Sequence, residues 1–150
     1  MKTYIDSSAL VPIYVPEEFS ARARREVRSA KQVPFTPLHG LEVRNAFQLL
    51  CGRGQLSPAE LRSVLTWLED DVTAHRLAWV PVDFERLFVH ADQLAAAHSA
   101  RLLCRSLDIL HVACALQLGC TRFVTADARQ LALAKAVGMT TADIKRAARI

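Results

Sequence analysis

Short apolar stretches alternate with longer segments of helical periodicity along this chain. Buried strands are predicted where four apolar stretches occur, at residues 2–6, 32–35, 77–82 and 121–125. Helices are predicted between and after them, over residues 7–15, 18–31, 37–51, 58–72, 84–98, 107–118 and 128–137. Strands that alternate with helices are typical of βαβ crossovers. The pattern therefore predicts an α/β fold with a central, mostly parallel sheet that is covered on both faces.

Several local signals support these boundaries. Ser57-Pro58-Ala59-Glu60 is a helix start, with serine at the N-cap, proline at N1 and glutamate at N3. Gly138 is a helix stop that favours the left-handed conformation. Beyond it, the sequence offers at most Met139–Thr141 as a fifth strand, and a basic helix is predicted to follow. No repeat or long linker interrupts the chain, so a single domain over residues 1–150 is expected.

The composition is that of a globular protein. Hydrophobic residues make up 51% of the 150 residues and charged residues 23%. No apolar run approaches the ~20 residues that a membrane-spanning helix needs. Asp6 interrupts the first apolar stretch, so the N-terminus lacks the pattern of a secretion signal. A cytoplasmic protein without a membrane anchor is expected, and its four irregularly spaced cysteines fit that compartment as reduced thiols.

Four acidic residues lie in otherwise apolar surroundings. Asp6 and Asp127 each follow a predicted strand, at the edge of a parallel sheet where ligands bind. Glu42 and Asp108 lie in apolar helices. Each has a structural alternative: Asp6 and Asp127 can cap helices, Glu42 can occupy an exposed face, and Asp108 can interact with a helix dipole.

Convergence of these four carboxylates would have a chemical consequence. Like charges that lie close together raise one another's pKa unless a cation neutralises them. Mg²⁺ and Mn²⁺ prefer such oxygen ligands, and a cation held in this way promotes phosphoryl displacement. The net charge of +4 favours a polyanionic partner. A metal-dependent nuclease combines these two properties.

Four ordered segments, YIDSSALV, LEVRNAF, SLDILHVACAL and RFVTADARQLALAKAVGM, resemble those of PIN-domain proteins. They are most similar to the ribonuclease toxins of VapBC toxin–antitoxin pairs, and the resemblance spans essentially the whole chain. It implies a PIN-like three-layer α/β/α sandwich and an endoribonuclease that depends on Mg²⁺ or Mn²⁺. It also implies an RNA substrate, a cognate antitoxin and a homodimer.

The resemblance assigns positions in this sequence. Asp6, Glu42, Asp108 and Asp127 match the acidic, catalytic and metal-binding positions of the family. Three polar residues match positions near these acids, and each has an alternative role in local structure: Ser8, Asn45 and Thr125. Arg105 and Arg129 lie beside acidic motifs, where contact with a substrate phosphate or charge balance is expected. Family members often end in a short strand, which this C-terminus supports only weakly.

Other conspicuous side chains have simpler interpretations. His111 could face the site of the four carboxylates, but core packing is the favoured prediction. Trp67 and Trp79 are also predicted to be core residues.

Two alternative functions remain open. An aspartate-based phosphoryl-transfer domain could use Asp6 as a nucleophile, but no lysine occurs between Lys31 and Lys135 to bind phosphate. A non-catalytic or antitoxin-sequestered binding module with the PIN fold is the second alternative.

Overall fold

The computed structural model describes residues 1–146, and the C-terminal residues 147–150 lie outside the description. Strands and helices alternate as the apolar pattern predicts. The strands are β1 Thr3–Ile5, β2 Val33–Phe35, β3 Leu77–Trp79, β4 Arg122–Thr125 and β5 Thr140–Asp143. The helices are α1 Ser7–Tyr14, α2 Ser20–Ser29, α3 Pro37–Gly52, α4 Pro58–Thr73, α5 Phe84–Leu102, α6 Ser106–Gln117 and α7 Ala128–Ala136.

All the strand pairs in the described chain are parallel. β1 pairs with β4, with Ile5 opposite Val124, and β4 pairs with β5. β2 pairs with β3. β1 also lies beside β2, which gives the spatial order β3-β2-β1-β4-β5. The predicted parallel sheet is confirmed.

His39 joins the two hydrogen-bonded groups of strands. Its Nδ1 accepts a hydrogen bond from the Thr36 backbone N–H at 3.0 Å, so the ring proton is on Nε2. Nε2 donates this proton to the carbonyl oxygen of Ile5 at 2.9 Å. Burial lowers the pKa of His39 to about 3, so the ring stays neutral. The His39 side chain therefore supplies the hydrogen bond to the last carbonyl of β1 that a backbone N–H of a neighbouring strand would otherwise make. This contact lies immediately before Asp6.

Two apolar clusters cover the two faces of the sheet. Side chains alternate between the faces of a strand, so Ile5 and Val124 face one cluster while Tyr4 and Phe123 face the other. Helices α1 to α4 pack on the face that carries Ile5 and Val124. Helices α5 to α7 pack on the opposite face. This arrangement confirms the three-layer α/β/α sandwich. No helix within residues 1–146 is long and apolar enough to cross a membrane.

Two predicted boundaries are wrong. β3 ends at Trp79 rather than at residue 82, because Pro81 has no N–H with which to continue a ladder. α5 continues to Leu102 rather than ending at residue 98, and it ends where Leu103 adopts a left-handed conformation with φ 54°.

The C-terminal prediction also needs correction. A fifth strand does form, over Thr140–Asp143, because it extends the sheet by pairing with β4. Ile144–Arg146 form turns and bends instead of the start of a basic helix. The rest of the predicted helix lies outside the described residues.

Trp67 and Trp79 are not core residues, since each is 53% exposed. Trp79 packs with one side of its ring near Phe35, at a centroid distance of 6.1 Å. An aromatic side chain in an apolar segment is expected to be buried, but both positions lie on outward-facing surfaces of their elements.

Candidate active site

Asp6 lies at the carboxyl end of β1 and begins α1. Its backbone N–H donates to Val124 O at 3.0 Å, which fixes the residue against β4. The side chain is 1% exposed, and its carboxylate accepts hydrogen bonds from Ser8 N and Ser8 Oγ. Burial raises the pKa of Asp6, although the nearby His111 and the Ser8 hydrogen bonds act in the opposite direction. A buried carboxylate that is capped only by neutral donors is a strong candidate for a cation ligand.

Hydroxyl groups connect Asp6 to β4. Ser8 Oγ donates to Asp6 Oδ1 at 2.9 Å and accepts from the backbone N–H of Ala126 at 2.9 Å. Thr125 Oγ1 lies 3.3 Å from Ser8 Oγ and accepts from Asp127 N at 2.9 Å. Ser8 and Thr125 therefore lie beside the acids, as predicted, and support the turn between β4 and α7.

Gln130 continues this network to Asp108. Its Oε1 accepts from Thr125 Oγ1 at 3.3 Å, and its Nε2 donates to Asp108 Oδ1 at 3.4 Å. Asp108 is 4% exposed and sits in the first turn of α6. A continuous series of polar contacts thus links Asp6 on β1 to Asp108 on α6.

Arg105 lies between Asp108 and Asp127. Its backbone N–H donates to Asp108 Oδ2 at 3.0 Å, and its guanidinium Nε lies 3.6 Å from the same oxygen. The guanidinium Nη2 of Arg105 lies 3.8 Å from Asp127 Oδ2. The Arg105 side chain is 69% exposed, and the Asp127 side chain is 26% exposed. Arg105 therefore supplies positive charge at the solvent side of two candidate ligands.

Glu42 reaches the same region from α3. Ser7 Oγ donates to Glu42 Oε1 at 3.1 Å, and Ser7 directly follows Asp6. His111 Nε2 contacts the same carboxylate oxygen. Burial raises the pKa of Glu42, but the His111 and Ser7 hydrogen bonds outweigh it and lower the pKa below its ordinary value. Glu42 is therefore ionised at neutral pH.

Two of the predicted residues lie apart from this network. Asn45 is exposed on α3, one turn beyond Glu42, and the Arg129 side chain is exposed in the first turn of α7. The backbone N–H of Arg129 donates to Asp127 Oδ1. Their side chains remain candidates for substrate contact only.

Four residues near the acids were not predicted as site residues: Tyr4, Ser7, His111 and Gln130. Ser7 is visible in the sequence as a second hydroxyl beside Asp6. Gln130 occurs three residues after Asp127, which is the spacing of a first helical turn. Nothing local distinguishes Tyr4 or His111 from core residues, because their partners are distant in the chain.

The donor set can be tested against a divalent cation. Within residues 1–146, no group of three or more His, Cys, Asp or Glu side chains is spaced to hold a metal ion. This excludes a preformed cage of three such ligands there. Mg²⁺ does not need such a cage, because it commonly binds one or two carboxylates and keeps several waters. The all-oxygen donors and the buried Asp6 carboxylate fit that mode of binding.

Comparisons with known proteins agree with this fold. The PIN domain family profile matches residues 3–136. Ribonuclease VapC3 from Pyrobaculum aerophilum is 31% identical over 132 residues, which cover 88% of this chain and 93% of that protein.

Two solved structures share the fold at 16% sequence identity. The crystal structure of FitAcB from Neisseria gonorrhoeae has a TM-score of 0.70 and covers 97% of this chain and 99% of its own. The crystal structure of DNA-bound VapBC from Salmonella typhimurium has a TM-score of 0.63, with coverages of 96% and 98%. Because the family profile spans most of the sequence and the VapC3 relative covers most of both chains, this protein belongs to the PIN domain family.

Proposed function

We propose that this protein is an endoribonuclease that depends on a divalent metal, Mg²⁺ or Mn²⁺. The observation that carries the proposal is the linked set of carboxylates around the buried Asp6, at the carboxyl ends of β1 and β4. The 31% identity to Ribonuclease VapC3 across most of both chains supports RNA as the substrate.

In this proposal Asp6 and Asp108 would bind the cation directly, and Glu42 and Asp127 would contact it through water. A divalent cation bound here lowers the pKa of a water molecule and stabilises charge on a phosphate. Asp6 and Asp108 are held in place by Ser8 and Gln130, so they need little reordering to bind.

Arg105 binds the substrate phosphate in this proposal. Its exposed guanidinium lies on the solvent side of Asp108 and Asp127. From this position the guanidinium would make charge-assisted hydrogen bonds to phosphate oxygens. Arg129, exposed in the first turn of α7 directly after the Asp127 cap, is the second residue proposed to contact phosphate.

The experiment is an RNA cleavage assay with purified protein. Cleavage requires Mg²⁺ or Mn²⁺, stops in EDTA, and leaves no 2′,3′-cyclic phosphate, because water rather than the ribose 2′-hydroxyl is the nucleophile. Asp6→Asn removes the activity, whereas the matched surface variant Asp70→Asn keeps it, because Asp70 is exposed on α4. Cleavage that persists in EDTA, or that leaves a 2′,3′-cyclic phosphate, contradicts the proposal. Metal binding without any RNA cleavage favours a binding module.

We also propose that the protein is the toxin of a toxin–antitoxin pair that acts in the cytoplasm, and that it forms a homodimer. The support is the fold shared with VapBC and FitAcB and the identity to VapC3. Exposed apolar side chains on α5 and at the start of α6 offer a surface for association, among them Phe88 at 59% and Leu107 at 48% exposure.

Growth of the producing cells tests the toxin role. Expression arrests growth, and co-expression of the protein encoded beside it restores growth while RNA cleavage falls. Arrest by the Asp6→Asn variant as strong as that by the wild type contradicts the proposal. Analytical ultracentrifugation tests the dimer, and a monomer at all concentrations overturns that part.

A further inference from the structure

Tyr4, His111 and Glu42 form a hydrogen-bonded series that runs from the core into the candidate active site. Tyr4 and His111 are fully buried, and the Glu42 side chain is 27% exposed. Tyr4 Oη lies 2.8 Å from His111 Nδ1, and His111 Nε2 contacts Glu42 Oε1. The three residues come from β1, α6 and α3, so the series connects elements on different sides of the site.

The direction of proton donation follows from the chemistry of the groups. The Glu42 carboxylate can only accept, so His111 Nε2 carries a proton and donates it. When this is the only proton on the ring, His111 Nδ1 is the acceptor, and the Tyr4 hydroxyl is its donor. The Tyr4 hydroxyl keeps its proton, because burial raises the pKa of Tyr4 well above its ordinary value. Tyr4 thus sets the tautomer in which His111 faces Glu42 as a donor.

Both hydrogen-bond donors to Glu42 act on the same oxygen. Ser7 Oγ donates to Oε1 at 3.1 Å, which is also the oxygen that His111 contacts. Glu42 Oε2 receives no hydrogen bond from any of the residues up to Arg146 that the structure describes. The carboxylate is therefore held by one oxygen, and the other remains available.

We propose that His111 is a positioning residue for Glu42, with Tyr4 fixing its tautomer, so that Glu42 Oε2 is presented to the hydrated divalent cation. The inference rests on the proposed metal-dependent function. Without the His111 bond, the partly exposed Glu42 side chain samples several rotamers. Cation binding must then fix one of them, and the lost conformational entropy lowers the affinity for the cation. Partners of metal-binding carboxylates commonly change metal affinity by about 10–100-fold when removed.

A core histidine without this role would act differently. It would contribute to stability through packing and through satisfied ring nitrogens, and its loss would leave the affinity for metal unchanged. A positioning residue changes the affinity for metal, and its effect depends on Glu42. A double-mutant cycle measured on metal binding separates these two roles.

The test measures Mn²⁺ dissociation constants by calorimetry on the full chain, which needs no RNA and no turnover. His111→Asn keeps a polar group toward Tyr4 but is too short to reach Glu42, and it weakens Mn²⁺ binding about 10-fold or more. His111→Gln places an amide N–H near the position of Nε2 and recovers most of that loss. The double variant of His111→Asn with Glu42→Gln binds no more weakly than Glu42→Gln alone. The control His75→Asn, at an exposed residue, leaves the dissociation constant unchanged.

Tyr4→Phe keeps the ring volume and tests the tautomer even where a His111 variant does not fold. It weakens Mn²⁺ binding by a few-fold, because the ring of His111 is no longer held in the donor form. Unchanged dissociation constants in Tyr4→Phe and in the folded His111 variants overturn the inference alone, provided that the wild type binds Mn²⁺. Additive losses in the double variant also overturn it. A wild-type protein that binds no Mn²⁺ overturns the proposed function and this inference with it.

Discussion

Three of the four candidate metal-binding residues also accept backbone hydrogen bonds at helix N-termini. Asp6 accepts from Ser8 N, Asp127 accepts from Arg129 N, and Asp108 accepts from Arg105 N. The helix N-terminus favours negative charge, so it reduces the energetic cost of gathering these carboxylates. Capping and cation binding are therefore compatible roles for one side chain. Asparagine caps helices about as well as aspartate but carries no charge, so Asp→Asn variants separate the two roles.

The variant Asp6→Asn should lose RNA cleavage while it keeps or raises the stability of the metal-free protein at neutral pH. The pKa of Asp6 in the folded protein is raised from 3.8, mainly by burial. Between the two pKa values the folded protein binds more protons than the unfolded chain, so this group's contribution to stability falls as the pH rises. In thermal melts in EDTA, the melting temperature should fall less between pH 4 and pH 8 for the variant than for the wild type. A large drop in melting temperature at pH 7 would show that the charge itself stabilises the fold.

Ser8→Ala should lower the free energy of unfolding by about 1–3 kcal/mol, because it leaves buried polar groups without a partner. Ser8 Oγ serves both the Asp6 carboxylate and the N–H of Ala126. Urea denaturation measures the difference. Ser29→Ala is the matched control, since the Ser29 hydroxyl is exposed and bonds only within α2. An equal loss of unfolding free energy in the two variants would mean that the Ser8 hydrogen bonds to Asp6 and Ala126 add nothing to stability.

Positions next to strands were predictable at the residue scale, whereas long-range partners were not. Asp6 and Asp127 follow apolar strands, and this placement in the sequence is enough to indicate a shared edge of the sheet. His111 lies in an almost continuous apolar run, where a core role is the ordinary expectation. Its partners are 107 residues away at Tyr4 and 69 residues away at Glu42. No local pattern in the sequence records such a contact.

At the scale of elements, the sequence predicted helices best where a chemical signal marks their ends. α4 begins at Pro58 after the Ser57 cap, as predicted, and both bonds of its capping box are present. α5 lacks a glycine or proline stop, so its end at Leu102 could not be predicted. β5 has only one apolar residue in its sequence Thr140–Asp143, and it forms because β4 offers an edge for pairing. Pairing between distant segments is set by the whole fold rather than by the segment.

Two glycines at helix ends provide a paired test of an element boundary. Gly138 has φ 86°, and a methyl group there would meet open space, so the backbone angle alone should decide the effect of Gly138→Ala. The expected loss is about 1–2 kcal/mol of unfolding free energy. Gly52→Ala at the end of α3 also meets open space but has no positive φ, and it should be neutral or stabilise by up to about 1 kcal/mol. Urea denaturation of both variants measures this contrast, and equal effects would contradict it.

At the scale of the whole molecule, a positive net charge is combined with a local group of carboxylates. Its net charge is +4, yet the polar network at the ends of β1 and β4 contains four carboxylates. The basic side chains of α2, a helix of the α1–α4 layer, contribute to this net charge, among them Arg22, Arg24, Arg25 and Arg28. A phosphate backbone is attracted by the overall charge and repelled locally by the acids. A bound cation removes this local repulsion, so metal and RNA should bind cooperatively.

Binding of Mn²⁺ should therefore stabilise the folded protein. The unfolded chain cannot hold the four carboxylates together, so the ion binds the folded state preferentially, and a concentration of 100 times the dissociation constant adds about 2.7 kcal/mol. Thermal melts with increasing Mn²⁺ should show a rising midpoint that EDTA reverses. Asp6→Asn should lose most of this rise, because it removes the most deeply buried carboxylate, which is 1% exposed. Asp70→Asn should keep the rise in full. An equal rise in Asp6→Asn and the wild type would place the ion elsewhere on the molecule, and the carboxylates around Asp6 would then have no part in metal binding.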